Sequence, residues 1–431
     1  MVLAAGLYRE GVYVARRFTK PVRIRAEEPY RARWTSPPGR HRILYVENGA
    51  NLVFSGIEMS GQPGAKDNYL IQIAGEQASR VVLENCIIHD SYSNDLIKIN
   101  DRAHEVIVYG SVLYNQNDRA GDEHLDINTV TDLTVENCIL FNDFAGSGRP
   151  VGNRSHSFVV IKNSGSTPDV TRRITLRRNV FLNYQGKVDQ CYVLLGEDGK
   201  PFFEAQDVTI ENNLFLHHSP VRFWGTLLLK GGLRDVVFRA NTVVGHPNVK
   251  WSGAYAAVGA RIGDNPPMGD LRFTGNIWSD ATGQMPRFSV ASAGLFALGS
   301  EPVLDNKLYW NGGRPIPTEL QDVLVPDRDL KRHLADPKVG NPNEGVTLPH
   351  WDAEEGRFLS GQTTIGGEFE RLVRLYAQPG EGSPAIDAAD PVTMPPEDIL
   401  GRPRGPRPDI GCFEEDPGQA VSPARAPLGG R

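Results

Sequence analysis

The residues able to do chemistry in this chain are concentrated between Asp90 and Lys162. The stretch "HDSYSNDLIKIND" supplies Asp90, Asp95, Lys98 and Asp101, and "NQNDRAGDEHLDIN" supplies Asp118, Arg119, Asp122, Glu123, His124 and Asp126. Carboxylates held side by side repel one another unless a cation sits among them or some are protonated. A cage of carboxylate and amide oxygens suits calcium, a hard ion that takes roughly 6–8 oxygen ligands. Paired carboxyl groups can instead act as acid and base in glycoside hydrolysis. A solvated acidic loop without a ligand is the bland alternative. His124, set among the acids, reads as structural.

Either chemistry needs the two stretches stacked, and the surrounding sequence supplies a stacking architecture. Eight segments share an apolar run, a short polar bend and a second apolar patch, among them "VVLENCIIHD", "LTVENCILFND", "VTIENNLFLHH" and "LRFTGNIWSD". A ninth, "PVLDNKLYWN", fits more loosely. Aligning the bends puts Ile57, Cys86, Ser111, Cys138, Asn179, Asn213, Asn241, Asn276 and Asn306 in one column at intervals of 25 to 41 residues. Repeats of this length mean stacked units. Between them lie further short strands such as "DLIKIND", "EHLDINT" and "SFVVIKN", rich in Val, Ile and Leu as buried parallel strands require. The fold expected is all-β, a right-handed parallel β-helix with an asparagine ladder inside it. Asn tolerates a left-handed bend, and its amide can bond to the amide stacked above. Alignment of Ile97 and Ile99 over Leu125 and Ile127 sets Asp95 over Glu123 and Lys98 over Asp126, with Lys98 and Asp126 turned outward. A β-propeller, the rival fold, gives the Asn column no role.

Residues 1–50 are expected to form an N-terminal cap, 51–325 the coils, 326–415 a closing segment without a new core, and 416–431 a disordered tail. No helix-period pattern stands out. The formal charge of −6 over 431 residues gives no electrostatic reason to bind nucleic acid. No apolar stretch is long enough to span a membrane. The chain opens on "MVLAAGLYREGVYV" without a secretory pattern, and a removed leader and a secreted or periplasmic location are expected. The cysteines, Cys86, Cys138, Cys191 and Cys412, have neither metal spacing nor a disulfide framework.

The acidic pair Asp122 and Glu123, followed by Asp126 and one coil later by Lys162, resembles the site of the family-9 pectate lyases, parallel β-helix enzymes with an Asn ladder. In that family an Asp-Asp-x-x-Asp motif and an Asp from the preceding coil hold calcium, and a lysine on the following coil abstracts the proton. The resemblance implies Asp95, Asp122, Glu123 and Asp126 as calcium ligands and Lys162 as the base. Glu123 departs from the family's Asp, and Asp95 is displaced by a few residues. Such a base must be neutral to act, which desolvation or cationic neighbours can achieve, and Arg149, Arg154 and Arg173 lie near Lys162 in sequence, so a depressed lysine pKa is expected.

The expected function is therefore a polysaccharide lyase that cleaves a uronate polymer, pectate first and alginate or glycosaminoglycans next, by calcium-assisted β-elimination. Lys98, Arg149, Arg154, His156, Arg222 and Lys230 are expected to line the groove for the acidic polysaccharide. His217, His218, Trp224, Lys250, Trp251 and Arg261 carry less weight. The chain is expected to act as a monomer. A carboxylate-pair glycoside hydrolase and a non-catalytic glycan-binding β-helix are the alternatives.

Overall fold

In the computed structural model the described residues are 1–415 apart from 38, 40–41, 65–68, 120, 169, 189, 247–255, 259–262, 286, 292–297, 320–321 and 323, and without the side chains of 256–258 and 290–291. The expected tail, with Lys250, Trp251 and Arg261, lies outside them.

Among the described residues, strands go in turn to three parallel sheets of 11, 12 and 10 members. The fourth rung is Ser79–Glu84, Ile87–His89 and Ile97–Asn100, and the fifth is His104–Tyr109, Val112–Tyr114 and Leu125–Asn128. Thr131–Glu136, Ile139–Phe141 and Val159–Lys162 form the sixth, Arg172–Arg177, Val180–Leu182 and Cys191–Leu195 the seventh, and Ala205–Glu211, Leu214–His217 and Gly225–Leu229 the eighth. This is the right-handed parallel β-helix. Its alternating inward residues, such as Val81, Leu83, Val106 and Val108, meet in one apolar core. The sheets begin at Val2, so residues 1–50, expected as a cap, contribute the first two rungs.

The ladder is present and carries a correction. Nδ2 of Asn179, Asn213 and Asn241 donates to Oδ1 of the next Asn at 3.0, 3.0 and 3.1 Å, ending at Asn276. All four are fully buried. The left-handed residue of each bend is the one before: Gly56, Asn85, Gly110, Asn137, Arg178, Asn212, Ala240 and Gly275, at φ 51–67°. Asn306, at φ 51°, belongs to this bend column, and its neighbour Lys307 takes the ladder position because Leu308 pairs with Ile277. Left-handed tolerance therefore explains the bend residues, and inward hydrogen bonding explains the ladder.

Asn213 Oδ1 accepts from both the backbone N–H and the Nδ2 of Asn179, at 2.9 and 3.0 Å. Its own Nδ2 also donates to the Leu176 carbonyl at 3.0 Å. Asn213→Ala strands these groups in a dry interior, so a loss of about 3–5 kcal/mol is expected. The urea midpoint measures it.

The closing segment does bring a second apolar layer, against expectation. Trp351, Phe358, Ile365, Phe369, Leu372 and Val373 pack on Ile87, Val112, Ile139, Val180 and Leu214, the outward residues of the second sheet. Part of the layer is a helix, Ile365–Tyr376, capped by Thr364 Oγ1 accepting from Gly367 N at 3.1 Å. The segment reaches back to the bend between strands Arg17–Ala26 and Ala32–Thr35, where the Tyr30 and Trp351 rings lie 5.0 Å apart, and it also meets the bend between Gly269–Thr274 and Ile277–Asp280, where Gly411 N donates to Gly275 O at 2.9 Å.

Beneath this layer His89 Nδ1 meets Asp90 Oδ2 at 2.8 Å and Nε2 faces Glu58 Oε1 at 3.4 Å. Burial opposes the imidazolium, yet the two carboxylates raise it to about 9. A raised folded-state pKa means stability fully present below the unfolded value of about 6.5 and lost as pH climbs through about 9. Thermal unfolding should fall over that window in the wild type, and His89→Gln should flatten the slope. An unchanged slope would deny His89 the charge.

Candidate active site

The third sheet places the acidic residues as their spacing implies. Ile97 pairs with Leu125 and Lys98 with Asp126, then Asp126 with Val160 and Asn128 with Lys162. Ile97, Ile99, Leu125 and Ile127 fill the core. Strand alternation therefore turns Lys98 and Asp126 to the outer face. Asp95, just before its strand, accepts through Oδ1 from Glu123 N at 2.8 Å.

Asp95, Glu123 and Asp126 converge, one carboxylate oxygen of each lying within 4.8 Å of the others. They are only 2%, 4% and 5% exposed. Burial, then the charges of Glu123 and Asp126, push Asp95 well above the usual carboxylate range. Burial, then Asp126 and Glu197, do the same to Glu123. Asp122 is outside this trio. It is half-buried, its Oδ2 accepts from Asn117 Nδ2 at 2.6 Å, and burial raises its pKa.

Two lysines flank the trio. Lys98 Nζ forms an ion pair with Asp126 Oδ2 and lies 5.5 Å from the Tyr69 ring centroid. Lys162 Nζ donates to Glu197 Oε2 at 2.6 Å. Burial works against the Lys162 charge, but Asp126, Glu197 and Glu123 outweigh it and hold the ammonium well above the ordinary lysine range. This corrects the expected depression by arginines. Arg149 is buried, bonded to Asp90 Oδ1 at 2.7 Å and to the carbonyls of Ser91, Gln116 and Asn115, where it fastens loops together. Arg173 is occupied on the first sheet by Asp132, at 2.5 and 2.7 Å.

His156 Nδ1 lies 3.6 Å from Glu123 Oε1, and burial lowers its pKa. Its ring covers Gly121, where a Cβ would fall 2.4 Å from Cε1. Arg154 is exposed on the same loop, while Arg222 and Lys230 are half-buried on the eighth rung. His217 bonds Thr226 Oγ1 at 2.8 Å and is fully buried, so it faces no groove. His218 is half-buried, and burial lowers its pKa to about 4. Glu197 was not anticipated. Its signal was available, since "YVLLGE" laid over "FVVIKN" puts Gly196 at Lys162 and Glu197 beside it.

The donor set fits a hard divalent cation. Asp126 Oδ1 is buried with no hydrogen-bond partner among the described residues. Such an atom normally costs stability, and a cation bound by the neighbouring carboxylate oxygens would satisfy it. Five carboxylates, Asp95, Asp122, Glu123, Asp126 and Glu197, face the ammonium groups of Lys98 and Lys162, leaving excess negative charge for the ion to offset.

No family model matches the sequence, and no curated protein matches it. Among solved structures, a point mutant of the PL6 family alginate lyase AlyGC is 13% identical with a TM-score of 0.53, over 90% of this chain and 57% of that one. This chain thus spans just over half of AlyGC. Pectate lyase Pel9A is 12% identical with a TM-score of 0.47, over 96% and 87% of the two chains. The PL6 family polysaccharide lyase Pedsa3628 from Pseudopedobacter saltans is 13% identical with a TM-score of 0.37, over 76% and 92%. These neighbours are polysaccharide lyases, and what the chain shares with AlyGC is the parallel β-helix fold. Among the described residues no helix is long and apolar enough to cross a membrane.

Proposed function

We propose that this chain is a polysaccharide lyase that cleaves a uronate-containing polysaccharide by β-elimination, with calcium held at Asp95, Glu123 and Asp126 and with Asp122 beside them. The supporting observation is the unpartnered, buried Asp126 Oδ1 within a converging trio of carboxylates. Calcium, when bound, supplies positive charge to a substrate carboxylate as the proton beside it is lost. Lys162 is the base: its neutral amine takes the C5 proton, the C4–C5 double bond forms, and the C4–O bond breaks with the departing oxygen taking up a proton. Asp126, Glu197 and Glu123 hold Lys162 protonated while their charge is uncompensated. Neutralising the trio removes the part of that field due to Asp126 and Glu123 and lowers the pKa of the amine, with Glu197 still hydrogen-bonded to it. Lys98, ion-paired to Asp126, positions that carboxylate, and His156 and Lys230 face the polymer. The proposal includes a secreted or periplasmic monomer.

The test is a screen of pectate, alginate and glycosaminoglycans with calcium and with a chelator. Calcium-dependent ultraviolet absorbance from unsaturated ends supports the reading. New reducing ends without unsaturation would favour a hydrolase, for which Glu123, whose pKa is raised by burial and its acidic neighbours, is the proton donor to test. Binding without cleavage would leave a glycan-binding β-helix.

A further inference from the structure

We propose that rungs six to eight carry an accessory subsite for the uronate chain running on from the cation site, with Trp224 as a stacking platform and Lys187 and Lys230 as partners for sugar carboxylates. Its ligand class rests on the lyase reading above.

The outward column of the third sheet changes character at one point. Gln72, Lys98 and Asp126 are succeeded by Val160, Leu194 and Leu228. Val160, Cys191, Leu194 and Leu228 form an apolar cluster separate from the main core, and half-buried Trp224 packs against it. An indole seated on such a strip while part of it remains in water can offer apolar area to a sugar ring.

The loops leading into the third sheet stack as the strands do. His156 N donates to Asp122 O at 3.0 Å, Lys187 N to Ser155 O at 2.9 Å, and Trp224 N to Gln190 O at 2.6 Å. The wall they form passes from the acid of Asp122 through His156 to exposed Lys187 and then Trp224. At the other end of the strands, Gly196 N donates to Ile161 O at 2.9 Å and Lys230 N to Leu195 O at 2.7 Å. Lys230 therefore follows Lys162 two rungs on, roughly 10 Å along the axis. Gly196, at φ +72°, permits the approach, because a Cβ there would lie 1.8 Å from the Lys230 carbonyl oxygen. A polyuronate carries a carboxylate on every sugar, so cations spaced by rungs beyond the cation site complement it. The acids at one end of the groove and the lysines beyond them set where the polymer extends.

The test uses a short and a long oligomer of the uronate polymer that the wild type cleaves. Trp224→Ala should lower the ratio of kcat/KM for the long over the short oligomer by on the order of ten-fold, through KM, with Trp224→Tyr recovering much of it. Lys187→Ala combined with Lys230→Ala should also lower the ratio and weaken its dependence on salt. A ratio unchanged in these variants, or an equal fall for both lengths, overturns the subsite. Binding of the long oligomer to Lys162→Ala, followed by a tryptophan fluorescence change that Trp224→Tyr alters, reads the subsite without turnover. Binding with no unsaturated product from the wild type would remove the lyase reading and leave the subsite standing. Turnover indifferent to length would do the reverse.

Discussion

Lys162→Ala is expected to keep its fold and calcium affinity and to lose about 10²–10⁴-fold in elimination rate, the usual contribution of a positioned general base. Removing the side chain leaves Glu197 without its partner at 2.6 Å, and because both groups are half-buried and still reach water the loss of stability is expected to be modest. Lys162→Arg should be nearly as inactive, because a guanidinium stays protonated at working pH. The wild-type pH profile carries a second signature. Lys162 is held protonated by Asp126, Glu197 and Glu123, so turnover should rise with pH as the amine loses its proton, and more calcium should move that rise to lower pH. Near wild-type elimination by Lys162→Ala would place the base elsewhere, with Lys98 and then Lys230 the next to test.

Asp95→Asn should abolish the response to calcium while making the calcium-free protein more stable. The substitution preserves the Oδ1 acceptor used by Glu123 N and removes one of three mutually repelling carboxyl groups. Raised carboxyl pKa values mean that the calcium-free wild type is stabilised as pH falls and destabilised as pH rises through the folded-state values of Asp95 and Glu123. Calcium at 100 times its dissociation constant adds about 2.7 kcal/mol to a protein that binds it only when folded. Thermal unfolding with calcium and with chelator reads both effects. A wild type whose midpoint ignores calcium, or an Asp95→Asn variant that still gains from it, would sink the cation assignment.

The sequence shows much of this architecture because a parallel stack repeats its constraints. Ile97 over Leu125 and Lys98 over Asp126 follow from alternation and one alignment, and the register agrees. Asn179 through Asn276 announce the ladder by a common offset from the apolar run. Asn306 misled because one-residue differences decide which of two adjacent columns an Asn occupies, and only the pairing of Leu308 settles it. The helix Ile365–Tyr376 went unseen although Ile365, Phe369, Leu372, Val373 and Tyr376 recur at helical spacing. That signal covers three turns in a chain otherwise of period two. Charge was the least legible property. Arg149 and Lys162 are close in sequence, but one fastens loops through Asp90 and the other faces Glu197, and sequence distance cannot distinguish such placements.

The segment folded back along the second sheet also governs how this protein is made and lost. A bare solenoid communicates only between adjacent rungs and can fray from either end. Here Arg31 Nη1 donates to the carbonyl of Ala353, 322 residues later, while Asn306 Oδ1 accepts from Asp390 N. Early and late rungs are thereby laced to the same strip of chain. During synthesis, the outward face of the second sheet stays bare until that strip leaves the ribosome, a window in which the nascent chain is most prone to aggregate. Once it docks, fraying at either end requires peeling away the strip, so the finished molecule should unfold in one step rather than by unzipping.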